Sequence, residues 1–419
     1  MRSLDEAPYL DLFDPAFQAD PVTAVRTLRQ QCPLIRTPIG VLIVDRTHVH
    51  DLLRERTLHS SLLHLVRFQG VTEGPVYDMA ASSLLAQEGE DHTRIRRLVS
   101  RSFTPRAADG HRPFMRTLVT ELVDRFAPKG ECEFMADFAD QYSVQVIAHL
   151  MGVPRQDHAL FARWGNSLTH LLSLELWSHR EEVETAQAAM SEYLADLVAD
   201  RRRLPRRDLV SELIAARDGR DGQDRLDDRE LLSLLGGLLF AGYDTTRNQL
   251  AVAMTVFAEH PIEWARLAEY PELGPVAVEE LMRAAGVVSV VPRVATRDLE
   301  VGGWHVPAGT LVSLSLSGAN HDPAVYQQPN QFDMDVSRPD PQIGFGGGAH
   351  HCLGANLARA EMQEALPILA RELRDLQVAG SPEWRSPLGG IAGPLRLELR
   401  FTPGVAAGTS ASATQPSLP

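Results

Sequence analysis

A cysteine near the carboxyl-terminal end of the chain stands where it could bind a metal. Cys352 lies in the glycine- and histidine-rich stretch FGGGAHHCLG, residues 345–354, and a helical pattern begins directly after it. Free N–H groups and the helix dipole at a helix start stabilise a thiolate. The glycines let the backbone come close to whatever the sulfur binds. A lone cysteine is more often a buried, inert thiol. This loop nevertheless predicts a thiolate ligand.

A second candidate lies inside the most apolar helical pattern of the chain. Residues 231–260 carry apolar side chains all the way round the predicted helix, which is typical of a helix that crosses the core. Within it, the segment AGYDTT contains Asp244, and a buried aspartate is costly unless it is paired or used. Thr245 can bond back to the Ala241 carbonyl, and Gly242 weakens the helix, so we expect a turn that admits oxygen and water. The alternative, from these residues alone, is a kinked core helix with a satisfied aspartate.

Basic side chains cover two faces of another predicted helix. His92 and Arg96 are four residues apart and share one face, while Arg94, Arg97 and Arg101 fall on roughly the opposite face. The outer face could steer an acidic partner protein to this side of the molecule, or it could simply be solvated.

A charged pair is predicted on a helix further along the chain. Glu280 and Arg283 are three residues apart, a spacing that lets the two side chains pair. By itself, such a pair usually lies on the surface and contributes little stability.

A mainly helical fold must position these residues. Proline and glycine separate the helical patterns. Strand patterns appear at residues 34–45, with a turn at 38–40, and at residues 287–316, which alternate as a small antiparallel sheet would. The polar stretches 202–209 and 218–230 are predicted connections, and the tail from residue 403 is predicted to be disordered. The predicted helices begin at about residue 48 and span residues 91–103, 115–126, 136–151, 158–174, 181–202, 228–260 and 275–285.

Composition excludes several classes of protein. Acidic residues outnumber basic ones by 55 to 41, which argues against a general affinity for nucleic-acid backbones. No segment approaches about 18 uninterrupted apolar residues, so no membrane span is predicted. The first residues lack the basic stretch and apolar run of a signal peptide. The 3 cysteines are far apart, which indicates no disulfide framework and favours a reducing, cytoplasmic location.

The motifs together resemble one family. The order Phe-Gly-x-Gly-x-His-x-Cys-x-Gly in residues 345–354 matches the haem-binding signature of the cytochrome P-450 family at every fixed position, and AGYDTT is similar to its oxygen-activating segment. The resemblance extends roughly from residue 10 to residue 401. It implies a mainly α cytochrome P-450 fold, with a triangular helical body and a smaller β-sheet portion, as one domain over residues 1–402. Two departures are His321, where arginine is common, and residues 88–91, where prolines are common.

The resemblance also implies roles for individual residues. Cys352 would be the axial ligand of a haem b iron, an arrangement that favours O–O cleavage. Phe345 would pack beside the sulfur, Asp244 would relay protons, and Thr245 would stabilise the reduced oxygen. His92, Arg96, Arg293 and His350 would bind the haem propionates, Ala241 and Gly354 would complete the cofactor-binding set, and Glu280, Arg283 and Arg338 would support the cysteine loop.

The implied activity is that of a monooxygenase of secondary metabolism. It would take two electrons from NAD(P)H, through ferredoxin reductase and ferredoxin, and insert one oxygen atom of O2 into a hydrophobic small molecule by hydroxylation or epoxidation. Predicted pocket segments at residues 62–85, 168–177 and 287–290 are largely apolar, which favours a terpenoid, polyketide or peptide product. No nucleic acid or membrane partner is expected, and the protein is expected to be a monomer.

Two other functions are compatible with a haem site. One is a haem-thiolate enzyme driven by peroxide, and the other is a haem-binding sensor or carrier without catalysis. The intact pair Asp244 and Thr245 disfavours both, because neither function needs proton delivery to oxygen.

Overall fold

The helices form most of the structure, a computed structural model that describes residues 2–217, 226–336, 338, 340–386 and 390–404. In chain order the α-helices are α1 (Pro15–Ala19), α2 (Pro21–Arg29), α3 (Arg46–Leu52), α4 (Leu62–Phe68), α5 (Pro75–Ser82), α6 (Gly89–Ser100), α7 (Pro105–Val123), α8 (Asp140–Met151), α9 (His158–Leu168), α10 (Arg180–Arg203), α11 (Leu209–Arg217), α12 (Asp228–Glu259), α13 (Pro261–Glu269), α14 (Gly274–Ala285), α15 (Leu316–Asn320) and α16 (Ala355–Glu372).

Within the described residues, the strands are short and lie in four small sheets. They are β1 (Leu34–Thr37), β2 (Gly40–Ile43), β3 (Leu58–Ser60), β4 (Glu131–Glu133), β5 (Val290–Ala295), β6 (Leu299–Val301), β7 (Trp304–Val306), β8 (Leu311–Ser315), β9 (Leu373–Val378), β10 (Glu383–Trp384), β11 (Pro394–Arg396) and β12 (Glu398–Pro403). The largest sheet has the order β1-β2-β8-β5-β3, and the others are β10-β11, β4-β12-β9 and β6-β7.

The predicted strand pair near the amino terminus is confirmed, since β1 and β2 pair antiparallel across a turn at Pro38 and Ile39. The second predicted sheet is more complex than a simple antiparallel one. β5 and β8 pair antiparallel, but β8 also pairs in parallel with β2, from the other end of the chain. Alternating patterns show which residues form strands, whereas the choice of partner strand depends on tertiary packing.

The long apolar helix is confirmed as α12. Asp227 caps it, because its carboxylate accepts the N–H of Glu230 while the Glu230 side chain accepts the N–H of Asp227. α12 packs against α8, α9, α10 and α16 at the centre of the largest apolar cluster. Burying each large apolar side chain there contributes roughly 1.5–3 kcal/mol. The helix therefore forms a rigid wall for any site on its surface.

Seven of the described helices were not predicted: α1, α2, α4, α5, α11, α13 and α15. Of these, α4 and α5 lie in residues 62–85, which were expected to form a loop. α13 begins at Pro261, directly after α12 ends, because proline fits the first turn of a helix while it stops the preceding one. Most of the predicted connection at residues 218–230, and the predicted tail beyond residue 404, lie outside the described residues. Among the described helices, none is long and apolar enough to cross a membrane.

Candidate functional site

A cavity of about 1770 Å³ lies between α12 and the loop that carries Cys352. Pockets for drug-sized ligands are typically about 300–1,000 Å³, so this one has room for a large cofactor and a substrate together. Most of the predicted site residues line it: His92, Arg96, Ala241, Thr245, Arg293, Phe345, His350, Cys352 and Gly354. Asp244 does not line the cavity.

The loop before α16 is held in a shape that only glycine permits at one position. Gly348 has a φ of 64°, and a Cβ there would meet the Leu53 carbonyl oxygen at 2.2 Å. The Cys352 N–H donates to the Phe345 carbonyl at 2.9 Å, which closes the loop. These two constraints aim the Cys352 sulfur at the cavity, to which it is exposed.

Opposing effects act on the Cys352 thiol. Burial raises its pKa, whereas the backbone N–H of Gly354 and the charges of Arg96 and Arg359 lower it. The donors that favour a thiolate are therefore present, but they do not by themselves overcome desolvation. A cation at the sulfur would supply what they lack, because metal binding deprotonates a thiol. The position suits a metal ligand better than a free nucleophile.

Basic residues gather on one side of the cavity. The imidazole rings of His92 and His350 lie 4.4 Å apart between centroids. Burial and the charge of His350 lower the pKa of His92 to about 4, so the ring is neutral near pH 7. Arg96 donates to the His351 carbonyl, and Arg293 donates to the Pro292 carbonyl at 2.9 Å. Neither arginine pairs with a carboxylate of the described residues.

These residues fit the two carboxylates of a haem. The His92 Nε2 atom is buried and has no partner among the described residues, which is costly unless an absent group completes it. Arg96 and Arg293 likewise have no carboxylate partner among the described residues, and burying a charge is costly without one. Glu88 lies at the edge of this group, where it accepts from His350 Nε2 at 3.1 Å and from the Ser60 N–H. The cluster therefore matches propionate binding, with Glu88 holding His350 in place.

Thr245 faces the cavity from α12. Its hydroxyl donates to the Ala241 carbonyl at 2.7 Å, the predicted bond back along the helix. α12 runs through this point as a continuous α-helix, so the predicted widening of the turn is not observed. Close packing explains the regular helix, since a Cβ at Gly242 would come within 2.9 Å of Ile147.

Asp244 is fully buried and tightly paired. Its carboxylate accepts two bonds from Arg385, at 2.8 and 3.0 Å, one from Arg247 at 3.0 Å, and one from Asn248 at 3.1 Å. Arg385 also lines the cavity, so it connects the acid to the cavity wall. Arg247 in turn pairs with Asp140 at 2.6 Å. For Asp244 to relay protons, a water molecule would first have to replace one of these arginines as a partner of its carboxylate.

Glu361 is a buried acid that the sequence did not single out. It lies on α16 and lines the cavity, and its Oε2 atom has no partner among the described residues. Burial raises its pKa well above the ordinary value, which favours the protonated carboxyl. The available signal was a glutamate that shares a helix face with Leu357 and Ala365 in the helical pattern after Cys352.

The three predicted pocket segments all contribute to the cavity wall, through residues such as Met79, Leu172 and Val288. A further segment, which includes Trp384, Arg385 and residues 390–393, also lines it. This stretch of glycine and proline between β10 and β11 carries no signal for a ligand site, because only the fold brings it to the cavity.

The predicted support cluster forms as a buried network. Glu280 accepts two bonds from Arg283, at 2.8 and 2.7 Å, and two from Arg338, at 3.1 and 2.8 Å. Arg283 also donates to the carbonyls of Asn320, Pro329 and Gln331. Charges this deeply buried are tolerated only when every donor and acceptor is satisfied. The network thus fixes the segment that leads into the cysteine loop.

His321, one of the two departures from the family pattern, lies beside this network. Burial lowers the pKa of its imidazole, although the contact of Nδ1 with the Ser317 carbonyl at 2.9 Å raises it. The unfolded chain therefore binds a proton first as the pH falls below about 6.5. The stability that a neutral His321 contributes is complete above that pH and declines below it.

We expect acidification from pH 7 to pH 5 to lower the urea midpoint of unfolding less in His321→Gln than in the unmodified protein. The matched control is His305→Gln, since His305 is half-exposed and lies 3.7 Å from Asp298. An equal decline in all three proteins would show that His321 does not contribute to the acid sensitivity.

Only part of the outer face of α6 is exposed where an acidic partner protein could dock. Arg94 is bound to Glu230 and Asp91, so it belongs to the packing of α12 rather than to a docking surface. Arg97 and Arg101 are exposed.

Comparisons with known proteins give a consistent result. The family model described as Cytochrome P450 matches residues 68–270 and 262–383. The luteothin monooxygenase of Streptomyces thioluteus is 38% identical over 400 residues, 94% of this chain and 96% of that protein. The mycinamicin IV hydroxylase/epoxidase of Micromonospora griseorubida is 39% identical, over 76% of this chain and 80% of that protein.

A solved structure is similar over nearly the whole length. The cytochrome P450 PksS of the bacillaene polyketide synthase of Bacillus subtilis superimposes with a TM-score of 0.83 and 28% identity. The alignment covers 92% of this chain and 98% of PksS.

Proposed function

The chain belongs to the cytochrome P450 family and is a haem-thiolate monooxygenase, and on this premise we propose that its substrate is a mainly apolar, polyketide-like molecule held between Cys352 and α12. The observation that carries the proposal is the large apolar cavity, which has the Cys352 sulfur at one wall and Thr245 at another. The similarity to PksS and to a named hydroxylase/epoxidase supports hydroxylation or epoxidation of a secondary metabolite.

The residues of the basic cluster are those we assign to cofactor binding. Haem, bound through its iron to the Cys352 thiolate, supplies the activation of O2 with two electrons. His92, Arg96, Arg293 and His350 would hold its propionates. Phe345 would shield the sulfur, while Ala241 and Gly354 would complete the cofactor-binding set.

Thr245 and Asp244 would manage protons at the opposite wall. The Thr245 hydroxyl now donates to the Ala241 carbonyl, and a small rotation would let it donate into the cavity instead. Asp244 would pass protons to it after Arg385 moves away, and a substrate that contacts Arg385 could cause that movement. Glu361 would be a second source of protons, since burial favours its protonated form and it lines the same cavity.

The electrons would come from NAD(P)H through ferredoxin reductase and ferredoxin. The exposed Arg97 and Arg101 would attract an acidic ferredoxin, in spite of the net charge of -14 for the whole chain.

The test is turnover of a polyketide-like substrate under isotopically labelled dioxygen, with NADPH, a ferredoxin and its reductase. We expect one labelled oxygen atom in the product. Turnover that needs only hydrogen peroxide would instead support the peroxide-driven alternative, and haem binding without turnover of any apolar substrate would support a sensor or carrier.

Replacing Thr245 with alanine is expected to keep the haem but to divert electrons to hydrogen peroxide. Product formed per NADPH should fall by about two orders of magnitude, the lower end of the roughly 10²–10⁴-fold that a positioned proton donor contributes. The measurement is product and peroxide yield together.

The matched control is Thr255→Ala. Thr255 lies on the same helix and also donates to a backbone carbonyl, that of Val252 at 2.8 Å, but it does not line the cavity. If Thr245→Ala and Thr255→Ala gave the same product and peroxide yields, Thr245 would have no part in proton delivery.

A further inference from the structure

Two histidines and a glutamate lie close together outside the cavity, beside a turn that forms part of its wall. The rings of His170 and His179 are stacked, with centroids 3.5 Å apart and an angle of 5° between their planes. Glu182 reaches the same place, with Oε2 at 3.5 Å from His179 Nδ1. One potential ligand atom of each residue lies within 4.8 Å of the others. The three residues therefore lie close together, with His170 in the turn after α9 and the other two at the start of α10. An imidazole binds a metal through a nitrogen lone pair in the plane of its ring, so one of the stacked rings must turn for both histidines to bind the same ion.

The local backbone gives this cluster its geometry. His170 lies in the 3-10 turn Thr169–Leu172, which follows α9. His179 immediately precedes α10, and Glu182 lies in the first turn of that helix. The His170 side chain makes no hydrogen bond with the described residues, so ring stacking is its only specific contact there. A pair of stacked imidazoles that were both protonated would repel each other.

The protonation states suit a metal ion. Burial, and then the charge of His179, lower the pKa of His170. Hydrogen bonds from Ser167 and His179 lower the pKa of Glu182, with burial acting against them. Both directions favour the unprotonated side chains, which are the forms that bind a metal ion.

We propose that His170, His179 and Glu182 form a binding site for a divalent transition-metal ion of the zinc class. Two imidazole nitrogens and one carboxylate oxygen are a typical donor set for zinc, with water in the fourth position. Magnesium and calcium prefer oxygen ligands and would bind weakly here. This site does not depend on haem or on the proposed substrate.

A metal ion here would tie the cavity wall to α10. Leu171 and Leu172, in the same turn as His170, line the cavity. The Leu172 carbonyl also packs against Gly390, where a Cβ would come within 2.6 Å of it. Because His170 would be joined to His179 and Glu182, this part of the wall would open less often. The ion would therefore slow opening of the cavity without taking part in the oxidation.

The first test is zinc binding to the untagged holoenzyme, measured by competition with a chromophoric chelator. We expect one saturable site that is lost or weakened in His170→Ala, His179→Ala and Glu182→Gln. The loss should be at least about tenfold for each variant, because even second-shell partners of a metal ligand change affinity by roughly 10–100-fold. His50→Ala is the matched control, since His50 is an exposed histidine beside another carboxylate, 3.1 Å from Asp51.

The second test is hydrogen exchange, followed by mass spectrometry, in peptides that cover residues 168–182. Zinc should slow exchange there in the unmodified protein and in His50→Ala, but not in Glu182→Gln. The absence of saturable zinc binding, or binding that survives all three ligand substitutions, would overturn the proposal. Zinc binding at these residues without any change in exchange would overturn the inference that the ion restrains the cavity wall.

Discussion

Cys352→Ser is expected to eliminate the absorption band at about 450 nm that the reduced, carbon monoxide-bound protein should show, because that band requires a cysteine thiolate on the iron. A serine hydroxyl in the same place is a much weaker donor, and no other cysteine of the described residues lines the cavity. Monooxygenase activity should fall to background. The measurements are the difference spectrum and turnover of the same preparation.

Cys32→Ser is the matched control, since Cys32 is a free, buried cysteine in a separate apolar cluster. It should keep the full band. If Cys352→Ser kept a band at about 450 nm, Cys352 would not be the iron ligand, whereas a shift to about 420 nm in that variant alone is the expected result.

Among substitutions of residues other than Cys352, Arg283→Met should lower the free energy of unfolding the most. Glu280 is 4% exposed and Arg283 is 2% exposed, so the substitution leaves a buried carboxylate with only Arg338 as its cationic partner. Removing one partner of a buried pair typically costs about 3–5 kcal/mol. Three backbone carbonyls would also lose the donor that joins them. We expect little folded, haem-loaded protein at 37 °C and a large decrease in the urea midpoint at lower temperature.

The chain contains a matched control with the same spacing. Glu263 and Arg266 also lie three residues apart on a helix, and Arg266 pairs in addition with Asp335, but its side chain is 30% exposed. Arg266→Met should therefore cost no more than about 1 kcal/mol. Equal losses of stability in Arg283→Met and Arg266→Met would contradict a special role for the buried network.

These two pairs show what the sequence could and could not predict. The spacing Glu-x-x-Arg is identical in both, so pattern alone gives no reason to bury one pair and expose the other. The resemblance to the cytochrome P450 family predicted a cluster of Glu280 and Arg283, with Arg338 as the third partner. The structure brings all three together. Burial depends on which elements pack over the helix, which is a property of the whole fold.

The cysteine loop and α12 were predictable because their signals are local. A glycine-rich run before a helix, and an acid in the middle of a long apolar helix, are each visible in one continuous stretch of sequence. Arg247, three residues from Asp244, is a local partner, but the second arginine is not, since Arg385 is 141 residues away in the chain. The roles of the individual site residues, and the division of the chain as one domain over residues 1–402, stay predictions.

The bond between Arg385 and Asp244 also limits how such a protein could change over evolutionary time. The segment that carries Arg385 is part of the cavity wall, so adaptation to a new substrate would favour substitutions there. Any substitution that removes the guanidinium also leaves a buried aspartate with fewer donors. Descendants with altered substrate ranges should therefore carry paired replacements at positions 385 and 244, or acquire a new cation nearby.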